Sequence, residues 1–184
     1  MAITKIQSES LNLADTYDFT GTVTGAGGGI TQADIWRLHT SLDITAGVTT
    51  YPSSWERADD TESGKIGTGM SHSGGIFSFP ETGIYQIQYS PSYTVSTNVT
   101  YAIARIIGTQ NNSSYGRLTD VAMTCTQTSG GNNYYKGITT CFFDVTDTSN
   151  CKIKLQHYCT HDTTLGGGND DNITEITFTR LGDT

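Results

Sequence analysis

Charge is sparse in this chain. Asp, Glu, Lys and Arg make up 15% of its 184 residues, below the ~25% usual in soluble domains. The ten basic residues are scattered along the sequence, and the formal net charge is −8. Phosphate backbones are held by clustered Lys and Arg, so this distribution argues against a nucleic-acid partner. An acidic surface also repels anionic lipid, and the charge is read as serving solubility. Long apolar runs are missing as well. No segment approaches the ~20 apolar residues that cross a bilayer as a helix, so no membrane insertion is expected. The opening MAITKIQSESLNLAD has no apolar h-region, which argues against a secretory signal. Cysteine is limited to positions 125, 141, 151 and 159. These are too few and too irregular for a disulfide framework, and without an export signal reduced thiols are expected. In place of charge stand Thr, Ser, Asn and Gly, a composition that suits sheets with polar loops and gives helices little support.

The most informative stretch is GIFSFPETGIYQIQY at 75–89. Phe77 and Phe79 alternate with Ser78. Tyr85, Ile87 and Tyr89 alternate with Gln86 and Gln88. A period of two means one buried face and one open face. Pro80, Glu81, Thr82 and Gly83 break the run, since proline cannot donate to a ladder and glycine accepts unusual backbone angles. The segment is predicted as a hairpin over 75–95.

The rest of the chain reads as strand after strand. Trp36, Leu38, Leu42 and Ile44 share one face of DIWRLHTSLDI. Residues 46–74 are predicted as a long loop region with one short strand. Further strands are expected at 99–107, 118–126, 138–145, 151–159 and 173–181, separated by turn clusters. Many short strands with regular turns indicate a sandwich or barrel. Residues 1–30 differ. Ile3, Ile6, Leu11 and Leu13 are spread among polar residues, Tyr17 and Phe19 begin an alternating run, and GAGGG at 25–29 reads as a hinge. The expected organisation is an N-terminal arm over 1–30 and one all-β domain over 31–184.

Three pieces resemble the tumour-necrosis-factor-like jelly roll, the β-sandwich also used by complement globular heads. They are the F-x-F-P-x-T-G-x-Y pattern of Phe77 to Tyr85, FFDVTDTSNCKIKL at 142–155 and the closing ITEITFTRLGDT at 173–184. The wording resembles bacteriophage versions, especially structural proteins of marine phages, and SESLNLADTYDFTGTVTGAGG at 8–28 resembles the opening of such virion proteins. The resemblance implies a homotrimer whose jelly rolls pack an aromatic-rich sheet around a three-fold axis. Tyr85, Ile87 and Tyr89 are candidates for that interface or for the core, with Tyr101 and Ile103 as companions. It implies a virion component, assembled in the host cytoplasm, that decorates or cements the capsid or forms a head fibre. Ile3, Ile6, Leu11, Leu13, Tyr17 and Phe19 would then grip a capsid or tail protein. The alternative is a tail-fibre or spike tip that recognises a host-surface glycan.

Other constellations bear on chemistry. Exposed aromatic rings stack on sugars, and Tyr51, Trp55, Tyr115, Tyr134 and Tyr135 lie in loop regions where they could do so. Glu56, Asp59, Asp60 and Glu62 cluster near Trp55, and cleaving a polysaccharide needs two carboxylates. No spacing singles out a pair, so no catalytic residue is expected. His157, Cys159 and His161 occupy alternate positions, but the C-x₂₋₄-C pairs of zinc sites are absent. GGGNDDN at 166–172 does not match a calcium loop. No metal and no cofactor are expected.

Overall fold

Alternation of buried and open residues along each strand builds two sheets that close on one core. The computed structural model describes residues 29–61, 63–128 and 131–184. Among these there is no helix, and all named strand pairs are antiparallel. The chain has a jelly-roll architecture. The expected attachment residues Ile3, Ile6, Leu11, Leu13, Tyr17 and Phe19 lie outside the described residues.

Strands are numbered along the chain. The first sheet contains β1 (Ala33–Leu38), β3 (Trp55–Arg57), β6 (Gly83–Ser90), β11 (Thr139–Val145) and β14 (Glu175–Gly182), in the order β11-β6-β14-β1-β3. The second contains β4 (Ser71–Ser73), β5 (Ile76–Ser78), β8 (Val99–Thr109), β9 (Gly116–Cys125) and β12 (Lys152–Cys159), in the order β4-β5-β12-β8-β9. A smaller sheet, β10-β7-β13-β2, holds β2 (Leu42–Ile44), β7 (Ser92–Val95), β10 (Asn133–Lys136) and β13 (Thr163–Leu165). It continues the first sheet around a bend. β6 runs through Pro91 into β7, and β10 runs through Gly137 into β11. Pro91 has no N–H to give, and its carbonyl accepts from Gly137 N at 3.0 Å, which holds the two strands together where the ladder turns.

Aromatic rings fill the space between the sheets. Phe77 meets Phe178 at 5.2 Å between centroids, and Phe79 meets Tyr85 at 4.7 Å and Phe143 at 5.6 Å. Such tilted and offset contacts are the favoured geometry for aromatic pairs. Trp36, Leu38 and Ile44 are buried in the same core, with Leu42 packed against it.

Three expectations change. The segment over 75–95 is not a hairpin. β5 pairs with β4 and β12 in the second sheet, whereas β6 pairs with β11 and β14 in the first. The Pro80–Gly83 corner therefore carries the chain across the sandwich. Gly83 has φ +135°, and a Cβ there would sit 2.5 Å from the Gly182 carbonyl oxygen, so a residue without a side chain is needed. The stretch DIWRLHTSLDI is two strands, split at 39–41 where the first sheet bends. Residues 46–74 hold two short strands, β3 and β4, where one was expected.

Candidate functional site

The outward side of the first sheet carries Gln86 and Gln88 between the inward aromatics. Pairing register extends them into two rows. Phe142, Gln86, Thr179 and Ala33 form one; Thr140, Gln88, Thr177 and Ile35 form the next. No residue in either row is charged. Ile66 bridges to Ala33 and lengthens the first row. Phe142 is 67% exposed and Ile66 49%. Ion pairs border the rows. At one end Arg37 lies between Glu56 and Asp60, and Lys136 lies 3.4 Å from Glu175. At the other, Arg180 reaches Glu81 at 3.4 Å and also pairs with Asp183.

Arg37 explains the carboxylate cluster seen in the sequence. Its Nε donates to Glu56 at 2.7 Å, and its other guanidinium nitrogens donate to Asp60. Burial pushes the Glu56 carboxyl up, but hydrogen bonds from Arg37 and His39 outweigh it and hold the group below its ordinary range. The hydrogen bond from Arg37 likewise holds Asp60 low. Asp59 is exposed, and Glu62 lies outside the described residues.

The residues expected at the core or the interface divide between the two sheets. Tyr85, Ile87 and Tyr89 are buried inside the sandwich, so they build the core and present nothing to a neighbouring chain. Tyr101 and Ile103 belong to β8, on the outward side of the opposite sheet, where Tyr101 stacks on Tyr158 at 5.9 Å. They are not companions of Tyr85. Trp55 is not in a loop. It lies on β3, is 7% exposed, packs on Phe77 and Tyr89, and donates its Nε1–H to the Pro52 carbonyl at 3.0 Å. No face of its ring is left for a sugar. Tyr134 is 73% exposed on β10. Its neighbour Tyr135 is half-buried and donates its hydroxyl to the Thr126 carbonyl.

Tyr115 lies in a groove of ≈ 350 Å³ on the second sheet, lined also by Tyr51, Arg105, Ile107, Arg117 and Gln156. Register brings these residues together. Gln156 lies opposite Arg105, which lies opposite Asp120; Lys154 lies opposite Ile107, which lies opposite Arg117. Thr50 bridges His157 beyond the end of β5 and so brings Tyr51 beside Gln156. Arg105 Nη1 donates to Gln156 Oε1 at 2.8 Å, and Gln156 Nε2 donates to Tyr51 Oη at 2.8 Å. Arg117 Nη1 donates to Asp120 at 2.9 Å. Lys154 Nζ sits 4.0 Å from the centre of the Tyr115 ring. Arg105 Nε and Tyr115 Oη are buried and find no hydrogen-bond partner. Burial pushes the Tyr115 phenol up. The sequence pointed to Tyr51 and Tyr115 here but not to Arg105, Arg117, Lys154 or Gln156.

The next residue on β12 turns inward. His157 is fully buried, with Tyr89 Oη 2.7 Å from Nε2 and Tyr93 Oη 2.6 Å from Nδ1. A neutral ring donates to one phenol and accepts from the other. Burial lowers its pKa to about 3. Cys159 is buried beside it and His161 is exposed, so the alternate ligands do not converge. Among the described residues no group of three or more His, Cys, Asp and Glu side chains is placed to hold a metal.

Comparison with solved structures agrees with this architecture. Murine APRIL matches with a TM-score of 0.60 at 13% identity, covering 82% of this chain and 98% of its own. Eiger TNF from S. frugiperda matches with a TM-score of 0.59 at 13% identity, over 85% of this chain and 96% of its own. The vertex protein P5 of PRD1 matches over 84% of this chain at 16% identity with a TM-score of 0.42, too low to bear on the assignment. No protein-family model matches the chain, and no curated protein sequence does. The fold is a tumour-necrosis-factor-like jelly roll.

Proposed function

We propose that the chain is a structural protein of a phage virion, a homotrimer seated on the particle by its N-terminal arm as capsid decoration or head fibre. The observation that carries the assembly reading is the uncharged double row on the first sheet, with Phe142 and Ile66 exposed and ion pairs at its ends. Interfaces exclude charge from their centres and keep it at the rim. A stable obligate interface commonly buries more than ~2,000 Å² in total, and a whole sheet face is the surface of that scale. The phage placement leans on the sequence resemblance, above all on residues 8–28. Glu56 and Asp60 support a non-catalytic role. Sugar cleavage needs one protonated carboxyl near neutral pH, and Arg37 keeps both ionised.

Sedimentation equilibrium of the full chain tests the assembly. The expected mass is three chains, and Phe142→Asp yields a monomer with unchanged circular dichroism. A monomeric parent, or a variant that stays trimeric, removes the assembly face. Deleting residues 1–30 is expected to leave the trimer intact and to abolish incorporation into particles. Separate binding assays on host cells and on empty capsids divide this reading from the spike-tip alternative, for which exposed Tyr134 is the supporting observation.

A further inference from the structure

The groove on the second sheet is unused by the assembly reading. It faces away from the uncharged rows and lies within a single chain, so its chemistry is the same whether or not the chain forms trimers. Two cations, Arg105 and Arg117, line it, and Lys154 lies over the ring of Tyr115, in a chain whose net charge is −8. The carboxylate between the two arginines, Asp120, is taken by Arg117. It lies 3.8 Å from Arg105 Nε, beyond hydrogen-bond range. The groove thus keeps an unpaired buried donor on Arg105 and an unpaired phenol on Tyr115. Unpaired buried polar atoms are rare because each carries an uncompensated desolvation cost, and two of them border this one groove.

The remaining chemistry says which kind of ligand would fit. Tyr51 is 51% exposed and offers a ring face. Its hydroxyl accepts from Gln156 and still has its own hydrogen to donate. Tyr115 lines the groove with its ring, its Oη being buried. Ile107 gives the floor an apolar contact. A bare phosphate or a peptide of acidic residues alone would satisfy the cations and leave the Tyr51 ring face uncovered. A sugar that carries a carboxylate uses both: guanidinium forks on the carboxylate, the Tyr51 hydroxyl on a sugar hydroxyl, and the Tyr51 ring on the apolar face of the pyranose. We propose that this groove binds an acidic saccharide of the uronate class, with Arg105 and Arg117 on the carboxylate, Tyr51 on the sugar ring and its hydroxyls, and the Tyr115 ring as a wall of the groove.

The test is calorimetric titration of the full-length protein with tetragalacturonate, its methyl ester, maltotetraose, tetraglutamate and inorganic phosphate. Saturable binding of tetragalacturonate is expected, weakened about tenfold or more by esterification and by Arg117→Gln. Tyr51→Ala weakens it by a similar factor. Arg117 and Tyr51 are exposed, so these variants fold, and unchanged thermal melting verifies it. The proposal is overturned if tetragalacturonate does not bind, if its ester binds equally, or if Arg117→Gln is without effect. It is overturned equally if tetraglutamate or phosphate binds as tightly, since the groove would then be a general anion site.

Discussion

His157 holds a phenol on each ring nitrogen and has no exposed surface, so it must stay neutral for the core to close. Its pKa of about 3 compares with 6.5 for a free ring. Between those values the unfolded chain takes up a proton that the folded chain refuses. Stability from this residue is therefore complete above about pH 6.5 and is lost as the pH falls toward 3. Urea midpoints are expected to fall steadily from pH 6.5 to 4.5. Glu56 and Asp60, both held low, add their own losses only below the ordinary carboxylate range. His157→Gln keeps a donor and an acceptor but does not titrate, so its midpoint falls less over that interval, the remaining fall coming from His72, whose pKa burial also lowers. A parent protein with a flat profile there would contradict the neutral-histidine reading. The reason for this histidine was half legible in the sequence: Ile153, Leu155, His157 and Cys159 share a face by simple alternation. The two phenols that satisfy it come from β6 and β7, and no local pattern announces them.

Elements were legible where alternation ran long enough. β6, β8, β11, β12 and β14 each carry a clear period of two, and each forms close to its expected limits. β10 and β13 escaped notice because they are short and polar, and tertiary pairing makes them strands. The Pro80–Gly83 corner was placed correctly but given the wrong role. Local turn chemistry marks a change of direction and says nothing about which sheet receives the next strand. That corner bears its own prediction. A methyl group at Gly83 would meet a backbone oxygen at 2.5 Å with φ at +135°, and neither can yield without moving the end of β14. Gly83→Ala is expected to cost about 2 kcal/mol or more in chemical unfolding. Gly74 also has positive φ, but a Cβ there meets nothing within 4 Å, so Gly74→Ala should cost less. Equal losses at the two positions would show that the close approach at Gly83 is unimportant.

For the whole molecule, the proposed association through a sheet face would link stability to concentration. The unfolding temperature of the parent should rise as protein concentration is raised, and that of Phe142→Asp should not. Differential scanning calorimetry at two concentrations tenfold apart reads this directly, and a parent with a fixed midpoint would argue for an independent monomer. Scale also explains what sequence reading missed. The groove draws Arg105, Arg117, Lys154 and Gln156 from β8, β9 and β12, and only the inter-strand register makes them neighbours. The uncharged rows likewise cross four strands, so the eye is drawn to the inward tyrosines instead of the glutamines between them.

The middle of the first sheet is filled by β14, hydrogen-bonded to β6 on one side and β1 on the other. During synthesis, residues 33–90 emerge long before Glu175–Gly182 can leave the ribosome. Until then β1 and β6 have open ladders toward the gap between them. Open ladders of this kind are where unfinished chains pair with one another, so the arrival of β14 both completes the first sheet and removes its most exposed edges.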